Sequence, residues 1–269
     1  ALWAAVVTLR LAPKIIVTGV EHDKLVHQIL KGDRISKVRY YDFAVDTSRF
    51  SPIPPAEKSL LRLSLGIPSN AIVVTIVSRL TRIKGLTYVT EVLIKLMQKT
   101  LNLYVLIVGG GGGHLKRELM DMAIQSKVGE RMKFIGSVRW ENVHKYLQVA
   151  DIFVYGGTAG SCTSLGLLEA MASGCCVVAS DSPLSHQVIL NGANGICFKY
   201  GDASSLEHIL RKLVNSNGLR RVMSTSAVKY ARSLHSLDSL CERLDELLRE
   251  DRNHYESWVE YHKARALHQ

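Results

Sequence analysis

Short runs of β-branched and aliphatic residues punctuate the chain: KIIVT (14–18), AIVVTIV (71–77), LYVLIV (103–108), MKFIG (132–136), DIFVY (151–155) and CCVVAS (175–180). Each has the length and composition of a strand. Between them the apolar positions change period. Leu86, Val89, Leu93 and Leu96 are spaced 3-4-3, as are Leu237, Leu240, Leu244 and Leu247, which is the spacing of one helix face. Strand and helix alternating this often predict an α/β fold, a Rossmann-like parallel sheet with helices on both faces. Three of the six prolines fall in FSPIPPAEK (50–58), so an extended connector and a domain boundary are expected there. The resulting division is 1–50, a helix, strand, helix and short strand too small for an independent core; 51–70, a linker and first helix; 71–216, a complete α/β domain; and 217–269, helices only. No repeat at solenoid period is present.

Composition narrows the classes. The chain has 269 residues, is 47% hydrophobic and carries a formal charge of +10, which suits nucleic acid, an anionic membrane surface or a phosphorylated small molecule. Five cysteines include no C-x-x-C pair, so a reduced, cytoplasmic protein without a structural metal is expected. The apolar start ALWAAVVTLRLA is interrupted by Arg10, is much shorter than the ~20 residues of a membrane span, and lacks the flanks of a signal peptide. No stretch interleaves Lys or Arg with stacking aromatics, which argues against nucleic acid as a partner.

Candidate chemistry lies near strand ends. LIVGGGGGHLKREL (106–119) places five glycines between a strand and a helix, yet G-x-G-x-x-G fails because its last position falls on His114 or Leu115. A tight turn allowing close backbone approach remains. VSRLTRIKGL (77–86) sets Arg79 just after a strand and Lys84 just before a helix, two cations able to clamp a diphosphate. In GSCTSLGLLEAMASG (160–174) the hydroxyls of Ser161, Thr163 and Ser164 are capping candidates, and the first-turn amides of the helix favour an anion. One carboxylate, Glu169, follows on that helix.

In this order the segments resemble the donor-binding half of glycosyltransferase family 4, enzymes of the GT-B fold. YYDFAVDTSRFSP, SRLTRIKGL, IVGGGG, MKFIGSV, ADIFVY and LGLLEAMASGCCVVASD fall in register with family segments over about residues 13–248. The resemblance implies that the chain is the carboxyl-terminal half of a GT-B fold with a remnant of the acceptor-side amino-terminal domain in residues 1–50. It implies a nucleoside diphosphate sugar as substrate, with Arg79 and Lys84 on the leaving diphosphate, Gly136 to Val138 near the base, amides from Cys162 to Leu165 on the phosphates, and Glu169 on the ribose hydroxyls. Anomeric configuration would be retained, with no metal and no cofactor, and a glycan or lipid-linked sugar would accept. Two acids of the family pattern are replaced, by Ser161 and by Gln187. The alternative is therefore a nucleotide-sugar-binding or regulatory subunit without transfer of its own, or one whose acceptor half is a separate chain. An epimerase would need paired acids for proton transfer, and none is found. The basic surface with Trp3 and Trp258 would suit the cytoplasmic face of an anionic membrane.

Overall fold

The structure, a computed structural model, describes residues 15–17, 26, 28–30, 38–40, 43–157 and 164–249. Trp3, Trp258, Ser161, Cys162 and Thr163 lie outside the described residues. Eight strands are seen among them: β1 (Ile15–Val17), β2 (Val38–Tyr40), β3 (Ile72–Val77), β4 (Leu103–Val108), β5 (Met132–Gly136), β6 (Ile152–Tyr155), β7 (Cys176–Ser180) and β8 (Gly195–Phe198). The helices are α1 (Pro55–Ser64), α2 (Leu86–Lys99), α3 (Gly113–Gln125), α4 (Val143–Gln148), α5 (Ser164–Ala172), α6 (Pro183–Val188), α7 (Ala203–Asn215), α8 (Asn217–Leu234) and α9 (Leu237–Arg249).

The chain divides into two compact units, residues 45–236 and residues 1–44 with 237–269. In the smaller unit β1 and β2 pair in parallel, Ile15 opposite Val38, and Val26 and Leu30 bury against them. The larger unit is a six-stranded, wholly parallel sheet in the order β5-β4-β3-β6-β7-β8.

Alternate residues of each strand supply opposite faces, as the two-residue period of a strand requires. Val74, Ile76, Val105, Ile107, Ile152 and Val154 pack on one face with residues of α2, α3 and α7. Val73, Leu106 and Val108 pack on the other with Ile67, Val149 and the partly buried Leu61 of α1 and Tyr146 of α4. Because both faces are covered, the central strands are mainly apolar, with the small buried Thr75 and Ser180 as exceptions. Strand β8 was not expected from the sequence. Its four residues begin with a glycine and alternate weakly, with only Gly195 and Phe198 fully buried, because it pairs on one side alone.

The strand order reverses between β3 and β6, so the connections leaving these neighbours run in opposite directions and open a crevice at their carboxyl ends. The other edge of the same two strands is closed by charge. Asp151, just before β6, accepts from Arg62 Nη2 at 2.8 Å, Lys58 Nζ at 3.0 Å and the Val73 amide at 2.9 Å. Arg62 is buried on α1 and spends its remaining donors on the carbonyls of Val149, Ser69 and Ala71. Asp151 is partly exposed, but removing it leaves the buried Arg62 charge uncompensated. Asp151→Ala is therefore expected to cost about 3 kcal/mol of stability, read by denaturant unfolding. A loss within the range of an exposed ion pair, under about 1 kcal/mol, would show that α1 is held by the carbonyl bonds alone.

Candidate functional site

The crevice is shaped first by glycine. At the start of α2, Gly85 sits in the left-handed region with φ of 66°, and a β-carbon there would lie 1.9 Å from the Gly156 carbonyl oxygen. Gly156, just past β6, is equally close-packed, since its own β-carbon would lie 2.4 Å from Val89. The Tyr88 hydroxyl completes the contact by donating to the Gly156 carbonyl at 2.6 Å. Burial pushes the Tyr88 phenol up to about 12, so it remains a donor at neutral pH. With α2 pressed against the end of β6, Lys84 falls beside Tyr155, its Nζ 5.5 Å from the ring centroid. That distance fits a cation–π contact.

Arg79 is set by the neighbouring turn. Gly109 (φ 144°) comes so close to the backbone after β3 that a β-carbon would lie 1.8 Å from the Ser78 oxygen. Leu80 in turn donates to the Gly110 carbonyl at 3.0 Å. The five-glycine run thus serves close approach to the chain's own backbone. It holds the segment that carries Arg79, whose guanidinium has no partner among the described residues. Arg82, three residues on, is instead bound to Glu118 of α3 at 2.7 Å.

Arg79, Lys84, Ser78 and Tyr155 line one cavity of about 250 Å³ together with Gly166 and Leu167 of α5. The structure therefore brings both expected cations to the beginning of the expected helix. Ser78 Oγ is buried there without a partner. Leu165, half-buried, belongs to the first turn of α5, whose amides have no intrahelical acceptor; Ser164 opens that helix. A broader hollow of about 670 Å³, lined by Pro52, Gly174, Val228, Lys229 and Arg232, adjoins Gly174, at the amino-terminal approach to β7 and away from the crevice.

Glu169 stands on the same face of α5 as Gly166, three residues and about 4.5 Å further along the helix. It is 7% exposed. Burial raises its carboxyl above the usual range, partly offset by a hydrogen bond from Trp140 Nε1 to Oε1 at 3.1 Å. Gly136 (φ 85°), the last residue of β5, and Val138 in the turn after it lie two strands from the cation cavity, and the same turn carries Trp140. Space beside Gly136 is open, with no atom within 4 Å of where a β-carbon would be. Trp140 is the residue that sequence reasoning missed. A lone tryptophan in a polar turn was its one visible signal, and its partner is 29 positions away.

Other groups are placed outside the chemistry. Cys175 and Cys176 are buried in the core with thiols pushed up to about 12, and neither is a nucleophile at neutral pH. Gln187 is buried on α6 with an unpartnered amide nitrogen. Among the described residues, no group of three or more His, Cys, Asp or Glu could hold a metal ion, and no helix is long and apolar enough to cross a membrane.

Comparison with known proteins adds to this geometry. Residues 57–230 match the family model of the glycosyl transferases group 1. The chain is 26% identical over 213 residues to a GDP-mannose-dependent monoacylated alpha-(1-6)-phosphatidylinositol monomannoside mannosyltransferase of Corynebacterium glutamicum, a match covering 77% of this chain and 55% of that one. It spans about half the length of the curated relatives it matches. The crystal structure of HepE from Anabaena in complex with UDP and glucose superposes with a TM-score of 0.77 at 21% identity, covering 92% of this chain and 66% of that one. The carboxyl-terminal domain of a group 1 family protein, LpcC, from Francisella tularensis superposes with a TM-score of 0.66 at 21% identity, covering 72% of this chain and 99% of the domain.

The raised carboxyl of Glu169 has a consequence for stability. A carboxyl that holds its proton more tightly folded than unfolded makes the folded state bind more protons, so its contribution falls as pH rises through the usual carboxylate range toward the raised folded value. Glu169→Gln keeps an acceptor for Trp140 and removes the buried charge. It is expected to unfold at a higher temperature than the wild type at pH 7, with the difference vanishing below the usual carboxylate range. Equal melting temperatures across the whole pH range would mean that Glu169 carries no desolvation cost.

Proposed function

The chain belongs to the glycosyl transferases group 1, and we propose that it binds the diphosphate of a nucleoside diphosphate sugar in the crevice between β3 and β6 and takes part in moving that sugar to a glycan or lipid-linked acceptor. The observation that carries this reading is the single cavity shared by Arg79, Lys84 and the start of α5. A diphosphate needs several donors and positive charge at close range, and two cations facing a helix amino end supply both.

In the proposed reaction Arg79, as a planar fork, and Lys84, as a point charge, stabilise the negative charge that builds on the leaving diphosphate as the glycosidic bond breaks. The first-turn amides of α5, including Leu165, add to them, and proposed contacts at Ser161, Cys162, Thr163 and Ser164 would extend that set. The nucleoside lies toward the turn after β5, with Gly136 and Val138 beside the base and Glu169 accepting from the ribose diol. A buried carboxylate suits that task because it accepts two hydrogen bonds. The configuration at the sugar carbon is retained and no metal takes part. The complex of the structurally similar HepE with UDP and glucose supports the substrate class. A second reading, a nucleotide-sugar-binding subunit without transfer, is favoured by one observation: Gln187 offers a buried amide where the family pattern has an acid.

Titration calorimetry with UDP and GDP tests the binding reading. Arg79→Ala and Lys84→Ala are each expected to weaken the tighter ligand by roughly one to two decades, the worth of about 1.5–3 kcal/mol per charge-assisted hydrogen bond. Unchanged affinity in both variants removes the clamp. Transfer of sugar from UDP-glucose or GDP-mannose to a glycan or lipid-linked acceptor, by the chain alone or with the rest of its protein, and lost in Arg79→Ala, selects transfer; tight binding with no transfer in either form selects the second reading.

A further inference from the structure

Trp140 opens the 3-10 turn Trp140–Asn142 that follows β5, and half of its surface faces solvent. An indole so placed can give its N–H to water at little cost. It gives it instead to a carboxylate that is 7% exposed. Its ring is fixed from the other side as well. The Arg49 guanidinium carbon lies 4.7 Å from the ring centroid, and the Phe50 ring lies 6.1 Å away, tilted by 54°. Phe50 is fully buried and meets His144 of α4 edge-on at 6.3 Å.

Arg49 and Phe50 belong to a segment with its own local order. Asp46 Oδ1 accepts from the amides of Ser48 and Arg49 at 3.1 and 3.2 Å, and Gln148 of α4 donates to the Ser51 carbonyl at 2.9 Å. The indole is thus a bridge with one end on residues 46–51 and the other on α5. For Glu169 the effect is directional. No other donor among the described residues reaches its carboxylate, so the Trp140 bond fixes one oxygen and leaves the second with its lone pairs available.

We propose that Trp140 is a positioning residue, which holds Glu169 in the orientation that reads a ribose diol and makes that reading depend on the order of residues 46–51 through Arg49 and Phe50. This rests on the nucleotide-binding function proposed above. The bond also favours the ionised form of a carboxylate that burial disfavours. Charged and titratable groups around the bridge are Arg49 above the ring, Arg139 and Glu141 on its turn, and His144, whose imidazole burial pushes down; none of them contributes to the shift of Glu169.

The test compares UDP with 2′-deoxy-UDP, or GDP with 2′-deoxy-GDP if guanine binds more tightly, on wild type, Glu169→Ala and Trp140→Phe. Phenylalanine keeps an aromatic ring under Arg49 and removes the N–H together with the rest of the pyrrole ring. Wild type is expected to prefer the ribonucleotide by roughly tenfold or more, the worth of one bond to a charged acceptor. Glu169→Ala loses that preference, and Trp140→Phe keeps less than about a third of it. In Trp140→Phe the loss of ribonucleotide binding in acid also moves to higher pH, because Glu169 is then protonated more easily. Thermal unfolding confirms that each variant is folded, and a change in indole emission on nucleotide binding, absent in Trp140→Phe, reports on the bridge itself. A Trp140→Phe protein with the wild-type preference and acid limb overturns the proposal while leaving the Glu169 assignment intact. No preference in the wild type overturns both.

Discussion

The site depends on how closely α2 approaches the end of β6. A β-carbon on Gly85 would lie 1.9 Å from the Gly156 carbonyl oxygen, nearer than any side chain permits, so two glycines are required where these elements meet. Their contact is sealed by the Tyr88 hydroxyl, and burial keeps that hydroxyl protonated. The position of Lys84 beside Tyr155 follows from this contact, and so does the closure of one cavity between the strand ends and α5. At the far edge of the same strands, Asp151 gathers Arg62, Lys58 and the Val73 amide, which fixes α1 and the β3–β6 register away from the chemistry. The rigid edge and the open edge are opposite ends of one strand pair.

The open edge carries costs that a purely structural edge would avoid. Glu169 is desolvated and has one donor for two oxygens; Ser78 Oγ is buried without a partner; and the Arg79 guanidinium is unpaired among the described residues. Buried polar groups are ordinarily satisfied, so Ser78 Oγ and the second oxygen of Glu169 are places for a ligand to complete, while Arg79 is an exposed cation at the same crevice. They are also complementary in sign. Cations face the start of α5, where an anion is favoured, and the carboxylate stands about one turn further along, where a diol can donate to it.

Much of the architecture was legible in the sequence. The central strands β3, β4, β6 and β7 are largely buried and read as mainly apolar runs, while α2 shows its 3-4-3 stripe. Strand β8 was hidden because an edge strand of four residues opening with glycine carries little of either signal. At the site, Arg79 and Lys84 were legible because they bracket a strand end and a helix start. The glycine run was legible as a turn but not as the support of Arg79, since its contact with Ser78 lies across strands. Trp140 was not legible. Nothing periodic links a turn after β5 to a helix after β6, and only the folded sheet brings the indole to Glu169.

A crystal structure of the chain with the tighter of UDP and GDP bound shows whether the crevice between β3 and β6 is a diphosphate site. Diphosphate oxygens are expected within hydrogen-bond distance of the Arg79 guanidinium and the Lys84 ammonium at the start of α5, with the ribose hydroxyls on Glu169. A nucleotide seated elsewhere, for example in the hollow lined by Pro52, Gly174 and Lys229, with Arg79 and Lys84 left in solvent, would contradict it.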